Sequence, residues 1–388
     1  MYILFHHHYA IWTGHLFQGN SMTPKERVYA ALQRQPADRI PVFMWFHPTT
    51  AKHFAGLLEI PPAYVGLAMG DDITQAWINN NYAMEGIVHE NEGESHTDYW
   101  KITWVKEGAF NQITRFPLKD VSQAKYQEYK FPYEYTDQLL QQMQPARDFA
   151  RKFQLYLGCD VSPCVFEMYC RLCGMENALY DLAAPTGFSD RLFKRCADFS
   201  VHLSELACRQ FSLDWLWTGD DVASQRSLMM SPASWRHQIK PHLQRIVQVG
   251  KNFNLPVAYH CCGSLYPIIP DLIETGIDIL NPIQPGCPDM NPLDLKKEFG
   301  NKLSFMGGVD TQALLPKADT TTVQRATADL IEGMTSDGGG FILAASHTIP
   351  PETPDDNVFA MYAEAGISRE EIFDRAADIR KINASAGL

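Results

Sequence analysis

The chain has 388 residues, of which 45% are apolar and 20% charged, and a formal net charge of −12. This balance excludes bulk disorder and leaves enough apolar residues for a large core. There is no Lys/Arg-rich run to suggest a nucleic-acid partner, and no apolar stretch reaches the roughly 18 residues that a bilayer span requires. The nine cysteines are odd in number and lack the spacing of a disulfide framework. They point to free thiols in a reducing cytoplasm.

Residues 1–21, which include His6-His7-His8, read as a leader or tag-like extension, and residues 22–388 as one domain. Met22 opens the domain. Thr23 is an N-cap, Pro24 suits the first helical position and Glu26 completes a capping box, so a helix is expected over 23–35. The apolar run 39–46 suits a buried strand. A helix over 50–70 follows and ends in Gly70-Asp71-Asp72. Between 82 and 118, glycine-punctuated β-branched and aromatic stretches predict a hairpin excursion at 99–105 and 110–116.

A regular rhythm then begins. Helices are expected over 136–153, 167–211, 232–252, 266–275, 291–299, 320–336 and 355–365, before a charged terminal helix. Short apolar strands are expected between them at 154–159, 214–218, 256–260, 277–281, 303–308 and 341–345. Strands alternating with helices predict a parallel sheet covered by helices. With at least six such units and no nucleotide-binding glycine fingerprint, a closed, distorted (β/α)8 TIM barrel is favoured over a doubly wound sheet.

Polar residues follow the strand ends: Asp220-Asp221, His260-Cys261-Cys262, Asn281 with Gln284, Asp310 with Gln312, and His347. In a (β/α)8 barrel these ends converge on one mouth. His260 and Cys262, two residues apart, can face the same side and offer a nitrogen and a sulfur to Zn²⁺. Cys261 would face the barrel wall, and Gly263 would permit a tight turn. His347 is the first candidate for a third metal ligand and Cys287 the second, with Glu167 and Asp310 behind them. Asp220 and Asp221 are candidate catalytic carboxylates; a helix cap or a loop ion pair is the alternative for each. Asp72, Tyr259, Asn281, Gln284, Asp310 and Gln312 are candidate substrate contacts. Cys170 and Cys173, inside an expected helix, read as structural.

Several of these segments carry a family resemblance. They are Arg39-Ile40-Pro41-Val42, Thr218-Gly219-Asp220-Asp221, Tyr259-His260-Cys261-Cys262-Gly263-Ser264, the run from Thr275 to Pro285, Phe305-Met306-Gly307-Gly308-Val309-Asp310, and His347-Thr348-Ile349-Pro350-Pro351. In them the chain resembles the uroporphyrinogen decarboxylase superfamily, and most closely its corrinoid (cobalamin)-dependent methyltransferases. The resemblance implies a distorted (β/α)8 barrel and a zinc site at His260 and Cys262. It also implies methyl transfer between a corrinoid protein and a small thiol or methylated substrate. Where the decarboxylases carry arginines that hold substrate carboxylates, this chain has Met44-Trp45-Phe46-His47-Pro48. A carboxylated tetrapyrrole needs cationic partners there. His347 stands where the methyltransferases carry a second zinc-binding cysteine. A metal-free decarboxylase and a non-catalytic corrinoid-protein partner are the alternatives.

Overall fold

A computed structural model describes residues 22–79, 89–108 and 110–385. The leader and residues 80–88 of the expected excursion lie outside these. The first helix, Pro24–Leu32, begins as its sequence predicts. The Glu26 amide donates to Thr23 Oγ1 at 3.2 Å and the Thr23 amide donates to the Glu26 carboxylate at 2.9 Å.

Ten strands follow. β1 (Ile73–Trp77) belongs to the main sheet. β2 (Ser95–Thr97), β3 (Thr103–Glu107) and β4 (Phe110–Arg115) form a separate three-stranded antiparallel sheet, the expected excursion with one strand more than a hairpin. β5 (Tyr156–Asp160), β6 (Trp215–Gly219), β7 (Val257–His260), β8 (Ile279–Ile283), β9 (Ser304–Val309) and β10 (Phe341–Ala345) return to the main sheet. That sheet has seven strands in the order β1-β5-β6-β7-β8-β9-β10, every pair parallel.

The eighth position is held by the segment 41–47. On one side the Leu343 amide donates to Pro41 O at 2.9 Å and the Phe43 amide to Leu343 O at 3.1 Å. On the other, the Asp72 amide donates to Val42 O at 2.8 Å. The segment therefore bridges β10 and β1 and closes a distorted barrel. Pro41 has no N–H to give a ladder, and only isolated bridges form, at Val42 and Phe46. The strand expected over 39–46 is thus a seam. β1 itself was not expected. Its sequence, Ile-Thr-Gln-Ala-Trp, has a polar and a bulky aromatic residue on its inward face and no aliphatic run.

Two cores follow from strand alternation. Inside the barrel pack Phe43, Ile73, Tyr156, Trp215, Trp217, Ala258, Ile279, Met306, Ile342 and Ala344, joined at one end by Val28 and Leu32 of the first helix. The outward set, including Leu157, Leu216, Tyr259, Leu280, Phe305 and Leu343, packs against the helices. Gly158 shows how tight the interior is. A Cβ there would lie 2.2 Å from Trp215 Nε1, which donates to Gln75 Oε1 at 3.0 Å.

The long helical regions are interrupted. The stretch 136–153 is two helices, Thr136–Gln141 and Met143–Phe153. The stretch 167–211 is three, Phe166–Cys173, Met175–Ala183 and Gly187–Gln210. Gly174, at φ 87°, ends the first of those three, and Thr186 caps the last.

Candidate functional site

Counting inward positions along each strand leads to the mouth. The last inward residues are Trp45 on the seam, Trp77 on β1, Asp160 on β5, His260 on β7 and Asn281 on β8. On β6 the corresponding residue is Gly219, whose absent Cβ would lie 3.1 Å from His260 Cβ and 3.2 Å from Ser162 Cβ. A side chain there would push His260 aside. One step beyond β6 and β7 stand Asp221 and Cys262.

His260 is oriented from behind. Its Nδ1 lies 2.7 Å from Asn281 Oδ1, and Asn281 Nδ2 donates to Met306 O at 3.4 Å. The second bond turns the amide oxygen towards the imidazole, so Nδ1 carries the proton and the lone pair of Nε2 faces the mouth. Nε2 lies 3.6 Å from Cys262 Sγ and 4.0 Å from Asp221 Oδ1. The Cys262 amide donates to Asp221 Oδ1 at 2.9 Å. One ligand atom from each of Asp221, His260 and Cys262 lies within 4.8 Å of the others, the single such grouping among the described residues. Tetrahedral zinc bonds of about 2.0–2.3 Å imply ligand atoms about 3.4–3.6 Å apart, so this donor set fits the ion with little movement. The Asp221 side chain is 43% exposed and that of His260 17%.

Gly263 makes the turn that follows possible. Its φ is +92°, and a Cβ would lie 2.3 Å from Ser224 O. Its amide donates to Gln284 Oε1 at 2.9 Å, tying the loop after β8 to the loop after β7.

The electrostatics are those of a site waiting for positive charge. Burial, and then the Asp221 carboxylate, push the Cys262 thiol well above its ordinary range. Partial desolvation also raises Asp221, whose outer edge stays exposed, against the pull of His260. His347 is lowered by burial and then by His260, with Asp221 opposing. Asp160 is pushed up to about 8 by burial, although Ser162 and the Trp77 indole donate to it. Among the described residues Glu167 is a further carboxylate within electrostatic reach of Asp221 and Cys262, and Arg171 pairs with it at 2.6 Å.

The other expected site residues divide by position. His347 is within electrostatic reach of His260 and Asp221 but is not in the donor grouping. Cys287 is buried in the outer core, within electrostatic reach of Cys262. Asp220 is only 1% exposed, and its carboxylate accepts from the Val165 and Glu167 amides at 2.9–3.1 Å, securing the start of the helix Phe166–Cys173. That is the capping alternative. Tyr259 faces the helices, where its hydroxyl donates to Asp220 O at 3.1 Å. The Asp310 carboxylate accepts from the amides of 312–314 at 2.9–3.0 Å, and the Gln312 side chain is exposed. Asp72 precedes β1 and so lies at the opposite end of the barrel, paired with Arg27 and Arg39. Cys170 and Cys173 are buried in the outer core.

Trp45, Trp77, Trp217 and Asp160 at the mouth are not among the expected site residues. Counting by twos from Tyr156 and Trp215 would have found Asp160 and Trp217. Trp45 and Trp77 needed the seam and β1.

Comparison with known proteins agrees with this architecture. The model of the family "Uroporphyrinogen decarboxylase (URO-D)" matches residues 158–366. Two curated uroporphyrinogen decarboxylases, from two strains of Thermus thermophilus, are each 29% identical over 131 residues. That match covers 33% of this chain and 35% of either relative, so the chain spans about a third of their length. A solved structure of a methyltransferase from Methanosarcina mazei superposes with a TM-score of 0.65 at 18% identity, covering 89% of this chain and 99% of that one. The latter is a likeness of fold. Because the family model takes in more than half of the chain, including the end of β5, β6 to β10 and the His260–Cys262 turn, the protein belongs to the uroporphyrinogen decarboxylase family.

Proposed function

We propose that this protein is a zinc-dependent methyltransferase that moves a methyl group between a corrinoid carried by a partner protein and a small thiol or methylated substrate. The observation that carries this reading is the convergence of Asp221, His260 and Cys262 within 4.8 Å. One nitrogen, one sulfur and one carboxylate oxygen with a partly exposed face match a catalytic zinc site of three protein ligands and an open position. The geometry favours Asp221 as third ligand over His347, the sequence-based choice. Zn²⁺ held by these three residues would lower the pKa of a bound substrate thiol and so make a thiolate available near neutral pH.

The protein's own groups do the rest. Asn281 fixes the His260 tautomer so that Nε2 is a ligand atom, a partner of the kind that raises imidazole basicity. The Cys262 amide holds Asp221 in place. His347, kept neutral by its burial, is a proton acceptor beside the site. Trp45 and Trp217 wall it, with ring centroids 5.5 and 6.3 Å from that of His260.

Metal analysis of the purified full chain tests the reading. About one zinc per chain is expected, and Cys262→Ala should lose it while keeping the native circular dichroism. A metal-free protein that consumes a carboxylated tetrapyrrole would replace this reading with a decarboxylase, the activity named for the Thermus relatives. The segment 44–48, which carries Trp45 and no arginine, argues against that outcome.

A further inference from the structure

β7 and the turn after it supply His260 and Cys262, and the neighbouring β8 reaches across to both. Strand register sets His260 opposite Asn281. One residue past the paired strands, the Cys261 amide still donates to Asn281 O at 2.9 Å. Carrying the same parallel register onward brings Gly263 level with Gln284, and there the acceptor is a side chain: the Gly263 amide donates to Gln284 Oε1 at 2.9 Å. Two side-chain amides on β8 and its loop thus match two points on β7 and its turn. Asn281 acts on the ring of His260. Gln284 acts on the backbone directly after Cys262.

The turn is held from three sides. The amides of Cys262, Gly263 and Ser264 go to Asp221 Oδ1, Gln284 Oε1 and Ser224 O, each at 2.9 Å. These acceptors are not equivalent. Asp221 belongs to the metal-binding trio, so a cation would share its carboxylate. Ser224 O lies in a small hairpin whose residues 224–227 are exposed. Gln284 stands on a fixed base instead. Ile283, Cys287 and Met290 around it in sequence are buried, and the Cys287 amide donates to Gln284 O at 3.1 Å. The Ser264 hydroxyl donates to Pro288 O at 2.8 Å and fastens the far end of the same loop to the turn. Of the three acceptors, only Gln284 Oε1 is neither part of the trio nor carried on an exposed hairpin.

We infer, on the reading that Asp221, His260 and Cys262 bind the metal, that Gln284 is a positioning residue for that site. By accepting from the Gly263 amide it fixes the backbone from which Cys262 Sγ is presented towards His260 Nε2. It acts through Cys262 and touches neither the ion nor the substrate. Its oxygen, which a substrate contact would use, is spent on the protein. Gly263 gives the turn no slack to compensate, since at φ +92° it is pressed against Ser224. Loss of the Gln284 acceptor therefore lets the thiol wander relative to its two partners, and a metal site pays for such freedom in affinity.

The test uses Co²⁺ as a coloured substitute for zinc in the full chain. Gln284→Met keeps the length of the side chain and removes the amide oxygen. Gln284→Glu keeps an acceptor at the same reach. The unmodified protein should take up Co²⁺ with a sulfur-to-cobalt charge-transfer band. Gln284→Met should weaken uptake about tenfold and reduce that band at saturation, with native circular dichroism. Gln284→Glu should restore the band. In the metal-free protein, hydrogen exchange over residues 261–265 should be faster in Gln284→Met than in the unmodified chain. Should Gln284→Met fail to fold, Gln284→Asn, whose oxygen falls one methylene short, should show the same losses. Unchanged cobalt affinity and band in the variant that lacks the acceptor, even with lowered stability, would overturn the inference, as would a Gln284→Glu protein no better than Gln284→Met. Absence of cobalt uptake by the unmodified chain would overturn the metal reading and this one with it, whereas uptake indifferent to Gln284 would overturn this one alone.

Discussion

The two ends of the barrel treat charge in opposite ways. At the N-terminal end Asp72 is fully buried and surrounded by donors: Arg27, Arg39 at 2.8 and 3.0 Å, and the Val42 amide at 2.8 Å. The first helix closes that end with Val28 and Leu32. At the C-terminal end Asp160, Asp221 and Glu167 share a recess with a thiol and two imidazoles, and Arg171 is paired with Glu167. An acid with its bases close at hand is a structural element. Acids raised by burial and without a lysine or arginine partner among the described residues, such as Asp160 and Asp221, are candidates for function. The same residue type thus means different things at the two ends.

The largest effect should come from breaking the satisfied end. Asp72→Ala leaves Arg27, 4% exposed, without its buried partner. A loss of about 3–5 kcal/mol is expected from urea unfolding, with zinc stoichiometry of the folded fraction unchanged. If zinc binding fell in proportion to stability, the two ends would not be independent.

At the mouth, Asp221→Asn should weaken zinc more than His347→Ala does, by about 100-fold against about tenfold or less in chelator competition. The reverse order would return the third ligand to His347. Asn281→Leu should weaken zinc by about 10–100-fold, the usual effect of removing a group that orients a histidine ligand. Asn281→Asp, which keeps an acceptor at Nδ1, should retain most of the affinity.

The remaining prediction concerns pH. The Asp160 carboxyl group titrates near 8 in the fold, against about 4 for an exposed aspartate. Between those values the folded state holds a proton that the unfolded state has released, so stability falls as pH rises through the window. Asp160→Asn cannot titrate, and its unfolding free energy should be flatter from about pH 4 to about pH 8 than that of the unmodified protein. A parallel pair of curves would mean that the group titrates normally.

Much of the architecture was legible in the chain. Helix starts follow from local chemistry, as at Thr23 and Glu26, and strands β5 to β10 from apolar runs bounded by turns. His260 and Cys262 were recognisable because a period-2 strand puts both on one side, whatever surrounds them. Asp221 was noticed as a carboxylate at a strand end. Proposing it over His347 as third ligand rests on a distance across β6 and β7, which spacing along the chain does not contain.

Local sequence, then, determined the helices, most of the strands and the His-x-Cys pair, because propensity, capping and alternation act over a few residues. The closure of the barrel through Pro41 to His47, the strand Ile73–Trp77, and the meeting of three indoles with Asp160 belong to tertiary structure alone. Those features join residues far apart in the chain, and only the register of neighbouring strands decides which side chains share a level.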